Sequence, residues 1–178
     1  MLIREATAAD LPDILNIHSQ AFSNDKEAEL VRTILADPSA QPTVSILASD
    51  EARPVGHILF SKARLTEPDS SCSVIILAPL AVIPEAQGKS FGGGLIKSGL
   101  QLLAAQDVDL VFVLGQPSYY GRYGFEPAGR LGLDPPHRLP QKHADAWMVR
   151  ALKAGLLGTL RGTVVCSDEL NKPALWRP

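Results

Sequence analysis

The chain has 178 residues, 46% of them hydrophobic and 20% charged, with a formal net charge of −2. That is enough apolar material for a full core and predicts one domain over residues 1–178, with a core of about 1–152 and a C-terminal extension over 153–178. So small a charge leaves no basic excess for a nucleic-acid backbone, and the longest apolar run, from Val74 to Ile83, is too short to cross a bilayer and contains Pro79. Met1-Leu2-Ile3-Arg4-Glu5 carries no basic region followed by a signal core, so the expected compartment is the cytoplasm. Cys72 and Cys166 lie far apart with no Cys-x-x-Cys partner; they read as small core residues, and no metal site or disulfide is indicated.

Leu2-Ile3-Arg4-Glu5 is a short opening strand, and Thr7-Ala8-Ala9-Asp10 is a helix cap with an acid at its third position. Leu11, Ile14, Leu15, Ile17, His18, Ala21 and Phe22 recur at helical spacing behind it. A second helix starts at Asn24 or Asp25, turns Ala28, Val31, Ile34 and Leu35 inward, and ends before Pro38. Three β-rich runs follow at 44–49, 55–65 and 73–82, joined by hairpin connections at Asp50-Glu51 and Glu67-Pro68-Asp69-Ser70. Residues 92–106 form a helix and 110–114 return as a strand. This crossover without a hairpin predicts parallel neighbours, the one parallel step in an otherwise antiparallel sheet. Residues 124–133 and 144–152 are expected as antiparallel strands, 134–140 as a proline-rich loop, and 162–166 as a last strand without an assigned place. The fold class is α/β (α+β): a mixed, mostly antiparallel sheet with one splayed parallel pair, flanked by helices.

The richest stretch is Leu80-Ala81-Val82-Ile83-Pro84-Glu85-Ala86-Gln87-Gly88-Lys89-Ser90-Phe91-Gly92-Gly93-Gly94. A strand, a glycine-rich turn and a helix start collect unpaired backbone N–H groups where an anion can sit. Gly88-Lys89-Ser90 ends like a Walker loop, but the leading glycine of that motif would fall on Ile83. A dinucleotide fingerprint fails on glycine spacing, and Asp107 and Asp109 come too early for its ribose-binding acid. Gln87-Gly88-Lys89-Ser90-Phe91-Gly92 instead resembles the acetyl-coenzyme A loop of the GNAT superfamily of N-acetyltransferases, Gln/Arg-x-x-Gly-x-Gly/Ala. It matches at the first and last positions, with Ser90 where the middle glycine is usual. Serine adopts positive φ less easily than glycine, so a slightly altered turn is expected, with the Ser90 hydroxyl available to a phosphate oxygen. Downstream, Tyr119-Tyr120 and Gly124-Phe125 reproduce the aromatic-Tyr-x-x-x-Gly-Phe element that follows a strand in the same superfamily. The layout is most similar to its YhbS-like predicted acetyltransferases.

The resemblance implies a function: transfer of acetyl from acetyl-CoA to a primary amine by direct attack on the thioester. The acceptor is a small molecule or a protein amine. The alternative is a non-catalytic acyl-CoA binding or sensing module; a nucleotide-binding protein using Gly88-Lys89-Ser90 is a third reading. Pro79 should force a bulge that splays its strand from 110–114. Pantetheine would pair with backbone at Leu80, Ala81 and Val82, and the diphosphate would rest on Gln87, Gly88, Lys89, Ser90, Gly92 and Gly93. Tyr120 is implied as the general acid that protonates the leaving thiolate; packing beside Tyr119, Tyr123 and Phe125 is its plainer role. For the general base, His57 and Glu29 are candidates. The plainer reading of His57 is a hydrogen-bonded core residue, and that of Glu29 an acid at a solvated helix start. Lys89 contacts a phosphate or is simply solvated. His18, His137 and His143 show no metal spacing. Trp147 and Trp176 serve the core or an interface, and a homodimer stays open.

Overall fold

The computed structural model describes residues 1–67 and 71–178. β1 (Leu2–Glu5) leads through a capped turn into α1 (Leu11–Phe22), and α2 (Lys26–Ala36) follows. The cap is the expected one: Asp10 Oδ2 accepts from the Thr7 amide (2.7 Å), and the Arg4 guanidinium clasps both Asp10 oxygens (2.8 Å each). Arg4 and the Thr7 amide together hold this carboxyl well below the usual carboxylate range. β2 (Val44–Asp50), β3 (Arg53–Leu65) and β4 (Val74–Val82) form an antiparallel meander. The first hairpin turns at Glu51 and Ala52, as expected at Asp50-Glu51, while Pro68, Asp69 and Ser70 of the second lie outside the described residues.

α3 (Phe91–Ala105) crosses over to β5 (Leu110–Leu114), which pairs parallel with β4 from Val74–Leu110 to Leu77–Val113. α4 (Pro117–Tyr120) comes next, then β6 (Glu126–Pro127), β7 (Leu133–Asp134), β8 (Trp147–Ala151) and β9 (Gly162–Val165). The main sheet runs β1-β2-β3-β4-β5-β8-β6, mostly antiparallel with the single β4–β5 parallel step. The strand expected over 124–133 is reduced to a two-residue ladder of β6 against β8, because Gly124 and Gly132 take positive φ and bend the chain out of the sheet at either end. The C-terminal strand finds its place: β9 pairs antiparallel with the end of β3 and makes a short parallel contact with β7.

Alternation along β3 separates the two helical layers. Gly56 and Phe60 face α3, where a Cβ on Gly56 would meet Leu95 and one on Gly99 would meet the Phe60 ring. His57, on the other face, meets α1 through His18. The core fills both layers with Ile14, Ile17, Val31, Ile34, Leu95, Leu103 and Phe112, all essentially inaccessible. Trp147 and Trp176 are core residues, packed edge to face with centroids 5.5 Å apart. Cys166 is buried and Cys72 half-buried.

Candidate active site

The β4–β5 ladder ends at Leu77–Val113, and just beyond it the register against β3 shifts between Ile58 and Phe60. Ala78 and Pro79 on β4 there oppose Leu59 alone, so the extra residue forms the bulge that Pro79 predicts. From that point β4 continues to Val82 with no strand on its β5 side, and the opening has a cavity on either side of Leu80.

The first cavity, about 420 Å³, lies over the start of α3. Leu80, Val82, Gln87, Gly88, Ser90, Gly92 and Gly93 line it, together with Tyr119, Arg122 and Tyr123 from the segment after β5. Gly88 (φ 76°) and Ser90 (φ 70°) both lie in the left-handed region. Ser90 therefore takes the glycine-like conformation although its side chain disfavours it. The first α3 amide with a backbone acceptor is that of Gly94, which donates to Ser90 O (3.0 Å), so the amides of Phe91, Gly92 and Gly93 are the open donors of the helix start. Gln87 Nε2 donates to Val82 O (3.0 Å) and ties the loop to the strand end. A Cβ on Gly92 would meet the Tyr119 hydroxyl at 2.5 Å, and one on Gly93 would collide with that of Tyr123. Arg122 lies over the Tyr119 ring, 4.9 Å from its centroid. Two expected residues fall outside this lining. Ala81 is buried opposite His57, and Lys89 turns to a separate surface hollow with Asp50, Glu51, Arg53 and Glu85.

The second cavity, about 370 Å³, is walled by the β4 bulge, the end of β5, Tyr120, Phe22, Glu27, Leu30 and the C-terminal residues Leu170, Leu175 and Trp176. Tyr120 and Tyr119 are neighbours in edge-to-face contact (5.0 Å), yet they serve opposite cavities, while Leu80 serves both. Burial, and then the neighbouring Tyr119, push the Tyr120 phenol well above its ordinary pKa, so it is a proton donor at neutral pH. Glu27 Oε2 is buried and has no hydrogen-bond partner. Neither base candidate reaches this cavity. Glu29 is on the exposed side of α2, paired with Arg32 at 3.3 Å. His57 is fully buried with both ring nitrogens engaged, Nδ1 with His18 Nε2 (2.8 Å) and Nε2 with Ser45 Oγ (2.7 Å).

Glu27 was within reach of the sequence. It lies three residues before Leu30 and seven before Ile34, on the inward stripe of α2, whereas Glu29 lies three before Arg32 on the outer one. Leu170, Leu175 and Trp176 carried no local signal.

An acetyltransferase (GNAT) domain matches residues 2–128 of the chain. The chain belongs to the GNAT family. It is 45% identical to the uncharacterized N-acetyltransferase YjhQ of Escherichia coli K12 over 168 residues, covering 94% of this chain and 92% of that protein. It is 30% identical to YhbS of the same strain, covering 97% and 99%. Among GNAT structures, that of Escherichia coli YhbS in complex with CoA superposes with a TM-score of 0.85 at 28% identity, covering 96% of this chain and 92% of the other. A GNAT acetyltransferase of Brucella melitensis in complex with acetyl-CoA gives 0.74 at 25% identity, covering 95% and 97%. No described helix is long and apolar enough to cross a membrane, and no described group of His, Cys, Asp and Glu has metal-site geometry.

Proposed function

We propose that the chain is an acetyl-CoA-dependent N-acetyltransferase acting on a primary amine, with residues 1–178 forming one catalytic domain. The observation that carries this reading is the pair of cavities meeting at Leu80, one rimmed by open main-chain donors, the other holding a protonated phenol and an unpartnered carboxylate. The residues of the first cavity fit the carrier: open amides at a helix start, with Arg122 in the same lining, favour an anionic diphosphate. The β4 edge at Leu80 offers main-chain groups to the amides of the pantetheine arm. Acetyl-CoA, as donor substrate, supplies an acyl carbon activated by a thiol leaving group.

The chain's own groups then act on protons and position. An alkylammonium has a pKa of about 10, so the acceptor must lose a proton before its nitrogen can attack. Glu27 lines this cavity, its Oε2 is buried without a partner, and its carboxyl is the group placed to hold the ammonium and pass its proton to water. As the C–N bond forms and the C–S bond breaks, Tyr120 gives its proton to the sulfur and regains one from the new amide nitrogen, so one proton is released per turnover. His57 and Glu29 take no part in this scheme, the first as a core residue, the second as an exposed helix acid.

Thiol release from acetyl-CoA in the presence of an amine panel tests the reading. Product with any primary amine supports it, whereas CoA binding without product from every amine identifies an acyl-CoA binding module instead.

A further inference from the structure

We infer that the acceptor is a monoamine carried on an apolar, preferably aromatic, body without a carboxylate, and that Phe22 and the C-terminal segment select it. The inference rests on the transfer reading above and adds the chemistry of the acceptor.

Among the described residues that line the second cavity Glu27 alone is charged, and the rest except Tyr120 are apolar. Its Oε2 is buried and lacks a partner, so a single cation beside this carboxyl meets an acceptor that no described group satisfies. A second ammonium, as in a polyamine or an aminoglycoside, would lose water against Leu30, Leu170 and Leu175 with nothing to replace it. An α-carboxylate would meet no Arg or Lys among the described lining residues and would stand near Glu27. The cavity thus discriminates by what it lacks as well as by what it holds.

The body of the acceptor follows from the walls. Phe22 and Leu175 come from opposite ends of the chain, each is 39% exposed, and both line the cavity. An apolar guest would cover both. Trp176 backs this wall; its Nε1 is committed to Leu170 O (2.9 Å), leaving an apolar ring towards the cavity. About 370 Å³ is at the small end of ligand pockets, in keeping with a ring on a short alkyl arm.

Two measurements on the full chain test the assignment. In the first, rates with acetyl-CoA are compared for 2-phenylethylamine, phenylalanine, putrescine, kanamycin and a peptide with an N-terminal phenylalanine. The expected result is a kcat/KM for 2-phenylethylamine about a hundredfold or more above each of the others. A preference for the polycations, the amino acid or the peptide would overturn the inference while leaving acetyl transfer intact. In the second, calorimetry measures 2-phenylethylamine binding to the CoA-loaded protein. Glu27→Gln should weaken it about tenfold and Phe22→Ala several-fold, with CoA affinity unchanged. Unchanged amine affinity in Glu27→Gln would overturn the assignment. Amine binding that depends on Glu27 but gives no turnover would support it and overturn only the transfer reading.

Discussion

The cavity over α3 takes most of its wall from fourteen consecutive positions, residues 80–93, whereas the cavity across Leu80 draws on α1, α2, β4, β5, α4 and the C-terminal segment. The first is main chain shaped by turn chemistry; the second is side chains delivered by the whole fold. A site made of main chain is specified by local conformational needs and tolerates change in the surrounding charges. A site made of distant side chains can alter its guest by single substitutions without disturbing the donor side.

The strongest test of that contrast is Gly92→Val. A Cβ there would meet the Tyr119 hydroxyl at 2.5 Å in the wall of the cavity over α3, and CoA affinity should fall about a hundredfold or more by calorimetry. Lys89→Ala, which removes a charge from a different hollow, should change that affinity less than about twofold; the reverse order would make this a side-chain phosphate site. Tyr120→Phe should lower kcat about a hundredfold with CoA affinity nearly unchanged, since the ring and its packing on Phe125 remain. Equal kcat would remove Tyr120 from the reaction.

A smaller effect belongs to the core under the acceptor side. Burial holds the His18 pKa down at about 4, and burial together with His18 holds that of His57 well below its ordinary value. Both are therefore neutral in the fold, while the unfolded chain takes up protons near the ordinary imidazole pKa of about 6.5. Stability from this pair is complete above about pH 6.5 and is lost as the pH falls towards about 4. Urea unfolding should show a loss on the order of 2 kcal/mol per histidine between about pH 7 and pH 4.5, with a weaker pH dependence in His18→Gln. The smallest effect is Ser90→Gly, which relieves a left-handed serine and should stabilise the protein by about 1 kcal/mol with CoA binding preserved; loss of stability would mean that the hydroxyl contributes more than the strain.

Much of the donor side was legible because each of its requirements is local. Pro79 announces the bulge by lacking an N–H, and Gly88 supplies the left-handed turn, although Ser90 shows that conformation can outlive the residue that favours it. The strand order through β5 follows from alternation and from one helical crossover. The meander's extension is less readable: residues 124–133 look like a strand by composition, but glycines at both ends turn them out of the sheet. Of the residues lining the cavity across Leu80, Glu27 is marked by helical spacing, whereas Leu170 and Trp176 belong to a segment whose neighbouring amides, Asp168 and Glu169, bond Ser39 and Asp37 more than a hundred positions away, which no local pattern encodes.

The end of α2 and the final segment are joined by a small polar clasp. Asp37 accepts from the Ser39 amide (2.8 Å), the Ser39 hydroxyl (2.7 Å) and the Glu169 amide (3.1 Å), and Ser39 Oγ in turn accepts from the Asp168 amide (2.9 Å). The far bank of the cavity proposed for the amine is thereby tied to the body of the fold, so docking there need not recruit a loose terminus or spend its entropy. One aspartate outside both hollows thus keeps the last stretch of chain moored as a fixed gatepost.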